Sequence, residues 1–147
     1  MLGEERGVLV IDDFAHHPTA VHVTTAGVRM RFPKRRLVAV FEPRTNTSRR
    51  SLFQQDYLSV LLSADEVVVR HPRDVDKIPE KDRFDAARLA QELRSKGAEA
   101  RAFADTDAIH DYLVNEVRAG DVILIMSNGS FDNLGKRLLE SLKEPGT

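Results

Sequence analysis

Val122-Ile123-Leu124-Ile125-Met126, followed at once by Ser127-Asn128-Gly129, is an apolar run with no polar alternation that ends in a short polar turn. A strand of that composition has both faces covered, as in a parallel sheet sandwiched by helices. Leu37-Val38-Ala39-Val40-Phe41 reads the same way. Working outward, five β-rich runs emerge: Val8–Asp12, Arg36–Glu42, Glu66–Arg70, Glu99–Phe103 and Asp121–Met126. Helical patterns lie between and after them: about Thr19–Arg31, Ser51–Ser63, Asp85–Lys96, Thr106–Arg118 and Leu134–Leu142. Pro18 suits a first helical position. Asp85 and Asp105 suit N-caps, and Gly97 suits a left-handed C-terminal cap. Strands alternating with helices predict an α/β, Rossmann-like, doubly wound and mostly parallel sheet with helices on both faces. His71–Arg83 reads as a long charged loop, and no linker divides the chain, so residues 1–147 are expected to form a single domain.

Composition narrows the function classes. The chain has 147 residues, of which 41% are hydrophobic and 31% charged, with a formal net charge of −1. That balance points to no nucleic-acid partner and no membrane partner. The absence of cysteine excludes disulfides, thiolate catalysis and cysteine metal sites. Apolar runs of five residues are far too short to span a bilayer, and Met1–Arg6 is polar, unlike a signal peptide. A cytoplasmic location is the expectation.

In doubly wound sheets, ligands bind outside the carboxyl ends of the strands. Here that rule selects three loops. The first, Asp12-Asp13-Phe14-Ala15-His16-His17-Pro18-Thr19, packs two carboxylates and two imidazoles ahead of a helix N-terminus. It reads either as a ligand site or as a turn in which the aspartates satisfy amides and His17 caps the helix. A metal site is disfavoured, because neighbouring histidines point different ways and no third His or Cys sits at ligand spacing. The second, Phe41-Glu42-Pro43-Arg44-Thr45-Asn46-Thr47-Ser48-Arg49-Arg50, holds three arginines and reads either as a solvated helix start or, since Arg49 and Arg50 sit where a helix N-terminus disfavours cations, as a site with an anion to answer them. The third, Met126-Ser127-Asn128-Gly129-Ser130-Phe131-Asp132-Asn133, is either a ligand wall or an ordinary turn with Asp132 or Asn133 as cap. The basic cluster Arg29, Arg31, Lys34, Arg35 and Arg36 reads as a solvated surface. No G-x-x-x-x-G-K-[ST] loop, no G-x-G-x-x-G and no G-x-S-x-G elbow is present, so the domain is not equipped to cradle a triphosphate by itself.

Asp12 to Thr19 resembles the D-D-[YF]-[GA]-H-H-P-T signature found in the carboxy-terminal domain of the Mur ligases, enzymes of peptidoglycan synthesis. Phe41-Glu42-Pro43-Arg44-Thr45-Asn46-Thr47 is similar to the F-E-P-R-[ST]-N-T loop of the murein peptide ligase branch. Met126-Ser127-Asn128-Gly129 followed by Phe131 resembles that branch's M-S-N-G-[GS]-F, and Asp76-Lys77-Ile78-Pro79 also looks like it. The resemblance runs from Gly7 to Leu142. Where the alanine-adding branch has H-R-Y-T-R, this chain has Arg44-Thr45-Asn46-Thr47-Ser48.

The resemblance implies the last third of an ATP-dependent ligase, downstream of a UDP-sugar domain and a central ATPase domain. The expected reaction joins UDP-N-acetylmuramate to L-alanyl-γ-D-glutamyl-meso-diaminopimelate in cell-wall recycling. The alternatives are a UDP-N-acetylmuramate–L-alanine ligase domain and a non-catalytic muropeptide- or nucleotide-binding module. ATP and Mg2+ belong to the full-length enzyme; this domain alone is expected to bind neither, to hold no metal and to be inactive. Partners are UDP-N-acetylmuramate, the muropeptide substrate and the upstream central domain. By the same resemblance Asp13, Phe14 and His17 contact the nucleotide, and His16 lies near the reacting amine or acyl phosphate. Arg44, Asn46, Thr47 and Arg49 hold the peptide's carboxylates. Ser127, Asn128 and Phe131 line the far wall of that pocket.

Overall fold

The apolar runs lie side by side in the computed structural model, which describes residues 2–43 and 53–143. The chain runs β1 (Gly3–Glu5), β2 (Val8–Asp13), α1 (Pro18–Arg31), β3 (Arg36–Phe41), α2 (Gln54–Leu61), β4 (Glu66–Arg70), α3 (Ala86–Ser95), β5 (Glu99–Phe103), α4 (Thr106–Glu116), β6 (Asp121–Met126) and α5 (Leu134–Lys143). Short 3-10 turns cover Glu80–Asp82 and Phe131–Asn133. The six strands lie in the order β1-β2-β6-β3-β4-β5. All neighbours are parallel except β1 and β2. The fold is the α/β, Rossmann-like, mostly parallel sheet that the sequence implies.

Two cores fill the faces. Leu37, Ala39, Phe41, Val67, Val69, Leu124 and Met126 pack with Val21 of α1, Tyr57 and Leu61 of α2, and Leu89 and Leu93 of α3. Val8, Val10, Val38, Val40, Ile123 and Ile125 point the other way, onto Ile109 and Leu113 of α4 and Leu134 and Leu138 of α5. One sense of crossover explains the division. Connections from β2 to β3, β4 and β5 advance across the sheet and put α1, α2 and α3 on one face. The return from β5 to β6 puts α4 on the other, as a single handedness requires. β6 sits between β2 and β3, with Val122 to Met126 all buried. Its unbroken apolarity follows from that place, and each fully buried side chain there contributes roughly 1.5–3 kcal/mol.

Besides an α2 that ends at Leu61 rather than Ser63, the structure departs from the sequence expectations in three places. β1 is an additional edge strand, antiparallel to β2, closed by a two-residue turn with positive φ at both Arg6 (52°) and Gly7 (77°). α4 ends at Glu116, before the expected Arg118, because Val117 is extended. The cluster at Arg29–Arg36 is not merely solvated. Arg35 donates to the Gly7 and Gly120 carbonyls at 2.7 and 3.0 Å, Arg36 grips Asp121 with both arms of its fork at 3.2 and 3.1 Å, and Arg29 pairs with Asp65 at 2.8 Å. These arginines staple the amino ends of β2, β3 and β6, on the side away from the candidate loops. The expected caps are present: the Asp85 and Asp105 carboxylates accept from the Arg88 and Ala108 amides. Among the described residues, no helix is long and apolar enough to cross a membrane.

Candidate ligand cleft at the carboxyl rim of the sheet

Register brings three strand ends to one level. Asp13 and Phe41 are both Cα partners of Met126, so β2, β6 and β3 end level with one another. The chain then ties the ends together. The Ser127 amide donates to the Asp13 carbonyl at 3.1 Å, the Glu42 amide donates to the Met126 carbonyl at 3.1 Å, and the Ser127 hydroxyl donates to Glu42 Oε1 at 2.7 Å. An open cleft of about 530 Å³ lies against this rim, lined by Asp13, Phe14, Ser127, Asn128, Gly129 and Phe131 among others.

Asp13 Oδ1 accepts from the Ala15 amide at 2.8 Å and the Thr24 hydroxyl at 3.3 Å, which fixes the turn that aims the loop. Phe14 stands 75% exposed, an apolar ring on the lip of a polar cleft. Ser127 is buried, and its Oγ both donates to Glu42 and accepts from the Gly129 amide at 3.1 Å, so it shapes the turn. Asn128 Oδ1 is buried with no hydrogen-bond partner among the described residues. Phe131 is buried in the α4–α5 core while bordering the cleft. Five of the expected site residues therefore meet at one cavity.

The histidines stand apart from that lining. His16 Nδ1 lies 2.8 Å from the Phe14 carbonyl, and the Tyr57 hydroxyl donates to the His16 carbonyl. An Nδ1–H facing Phe14 leaves Nε2 as an acceptor. Burial pushes the Tyr57 hydroxyl pKa up, so this donor keeps its proton at any ordinary pH. His17 is the N-cap of α1: its Nδ1 accepts from the Thr19 amide at 3.3 Å, and its ring meets Phe53 edge to face at 4.9 Å. Of the two sequence readings for His17, capping is thus realised at Nδ1. Arg44, Asn46, Thr47 and Arg49 lie outside the described residues.

Glu42, Arg73 and Thr106 were not singled out by the sequence, and Asp132 only as a possible cap. Glu42 is fully buried, and its Oε2 accepts from Arg73 Nε at 3.1 Å. Arg73 also donates to Asp132, whose Oδ2 accepts from the Thr106 hydroxyl at 2.7 Å. Hydrogen bonds from Arg73 and then Thr106 hold the Asp132 carboxyl at about 2, while Asp132 raises the Arg73 guanidinium. Asp132, one of the two residues that the turn reading offered as a cap, thus joins an ion pair reaching across the rim. Phe131, Asp132 and Asn133 all have left-handed backbone, with φ of 50°, 52° and 59°. Among the described residues no three His, Asp or Glu side chains gather closely enough to hold a metal ion.

Comparison with known proteins identifies the family of the chain. The family model described as "Mur ligase, glutamate ligase domain" matches residues 1–129. A UDP-N-acetylmuramate–L-alanyl-γ-D-glutamyl-meso-2,6-diaminoheptandioate ligase of Escherichia coli is 36% identical over 141 residues, covering 95% of this chain and 29% of that protein. A UDP-N-acetylmuramate–L-alanine ligase of Desulfitobacterium hafniense is 33% identical over 138 residues, covering 94% and 30%. The crystal structure of a murein peptide ligase from Psychrobacter arcticus superposes with a TM-score of 0.81 at 29% identity, covering 99% of this chain and 29% of that one. The chain therefore spans about 30% of the length of the curated relatives it matches.

Proposed function

Because this chain belongs to the Mur ligase family, as a carboxy-terminal domain of those enzymes, we propose that it is the amino-substrate-binding domain of an ATP-dependent ligase. That ligase joins UDP-N-acetylmuramate to L-alanyl-γ-D-glutamyl-meso-diaminopimelate. The observation that carries the proposal is the meeting of the β2, β3 and β6 ends at one hydrogen-bonded rim beside a cleft. The choice of tripeptide over alanine rests on Arg44-Thr45-Asn46-Thr47, which follow the end of β3. The tripeptide carries several carboxylates, and arginine forks answer carboxylates two hydrogen bonds at a time.

The parts take roles accordingly. ATP and magnesium sit on the rest of the ligase, where ATP supplies the phosphate that activates the lactyl carboxylate. Asp13 and Phe14, on the near lip, close toward the nucleotide, with His17 Nε2 beside them. Arg44, Asn46, Thr47 and Arg49 hold the peptide's carboxylates. Asn128 and Phe131 form the far wall, and Asn128 Oδ1 accepts an N–H of the amino substrate. In the transfer step the amine nitrogen bonds to the acyl carbon, the carbon–oxygen bond to phosphate breaks, and the amine's proton passes to His16 Nε2. Holding these partners in register is most of the work, since orienting two bound reactants removes much of the barrier. The ligase acts in the cytoplasm, in cell-wall recycling.

The test is an amide-bond assay on the whole ligase, offering free L-alanine and the tripeptide side by side and following phosphate release. Consumption of the tripeptide in preference to alanine is expected. Preference for alanine would assign the domain to the alanine-adding branch, and product from neither would leave a binding module.

A further inference from the structure

We infer that Arg73 is the positioning residue of the cleft, gripping the Ser127–Asn133 loop at both ends so that Asn128 and Phe131 face the ligand. The functional half of this inference rests on the reading of the cleft as the amino-substrate site. Arg73 arrives from the loop after β4, and no described residue of that loop is in the cleft lining. One arm of its fork reaches the near end of the loop through Glu42. Nε donates to Glu42 Oε2 at 3.1 Å, and the other Glu42 oxygen accepts from Ser127 Oγ at 2.7 Å. The second arm reaches the far end directly, where a terminal nitrogen donates to Asp132 and lies 3.0 Å from Glu42 Oε2. Thr106, buried at the start of α4, braces this end by donating to Asp132 at 2.7 Å, and Arg70 Nε donates to the Thr106 hydroxyl at 3.2 Å.

The loop needs holding. Three successive non-glycine residues in left-handed backbone each carry a local cost, larger for Phe131 than for Asp132 and Asn133. Local preference alone does not select that conformation, so it persists where surrounding contacts over-determine it. A planar fork can serve two carboxylates at fixed angles; a lysine ammonium is a point charge on a flexible stem. Arg73→Lys therefore keeps the charge and loses the geometry.

The test compares Arg73→Ala, Arg73→Lys and Asp132→Asn in two measurements. Amide hydrogen exchange in this chain should quicken at Gly129–Asn133 in all three variants, while β6 stays protected. In the whole ligase, KM for the amino substrate should rise about tenfold or more, with KM for ATP moving less than about twofold. Arg73→Lys should recover melting temperature without recovering that KM. Unchanged exchange in the loop overturns the inference. So does recovery of KM together with melting temperature in the lysine variant, or an equal rise in every KM, because each marks a structural role only. Asp132→Asn supplies the same comparison if Arg73→Ala does not fold. A wild-type ligase that uses neither amino substrate would refute the proposed function, while the exchange result would still decide whether Arg73 holds the loop.

Discussion

At Asp132 the Arg73 guanidinium and the Thr106 hydroxyl hold the carboxyl at about 2, below its ordinary 3.8. Because the folded-state value is the lower one, the stabilisation is fully present above 3.8 and is lost as pH falls through about 2. The side chain is 42% exposed, so solvent screening reduces the effect to about 1 kcal/mol. Asp132→Asn should flatten that part of the acid limb of a urea-midpoint-against-pH curve; parallel curves for the two proteins would contradict the pairing. His16→Ala should lower kcat of the whole ligase more than it lowers the melting temperature, whereas a variant that melts early at unchanged kcat would make His16 structural. Arg44→Ala should raise the peptide KM by the loss of one charge-assisted contact, roughly 2–3 kcal/mol, and unchanged peptide kinetics would remove it from the site. Legibility at this scale followed locality. Asp13, Phe14 and Asn128 sit in short loops whose residue types announce polar contacts. Glu42, Arg73 and Asp132 are 31 and 59 residues apart in sequence, and nothing local to any of them signals the others.

Among the elements, the parallel strands were readable because burial on both faces demands unbroken apolarity, and the helices because Asp85, Asp105 and Pro18 mark their starts. β1 was not readable. Its residues are polar, it pairs on one side only, and its turn places Arg6 where Asn or Asp is the usual signal. Gly7 carries that turn: at φ 77° a Cβ would be strained and would stand 3.0 Å from the Ala119 Cβ. Gly7→Ala should therefore destabilise the chain by roughly 1–2 kcal/mol, read as a lower urea midpoint. A neutral result would mean the hairpin adds little to the fold. The Phe131–Asn133 turn was equally hidden, because phenylalanine gives no sequence warning of a left-handed backbone.

Across the whole molecule, the two ends of the sheet divide the labour. At the amino ends Arg29, Arg35 and Arg36 close ion pairs and carbonyl contacts that stabilise the sheet; at the carboxyl ends β2 and β6 lead into a cleft, with the end of β3 tied to the same rim. The doubly wound order explains why. Placing β6 between β2 and β3 brings strand ends from the start, middle and end of the chain to one rim. The most direct measurement is amide chemical-shift mapping of this chain with L-alanyl-γ-D-glutamyl-meso-diaminopimelate added to millimolar concentration. Perturbations should concentrate at Asp13–His17, Arg44–Arg50 and Ser127–Asn133. Shifts confined to the α4–α5 face, or none at all, would contradict the assignment of this rim to the amino substrate.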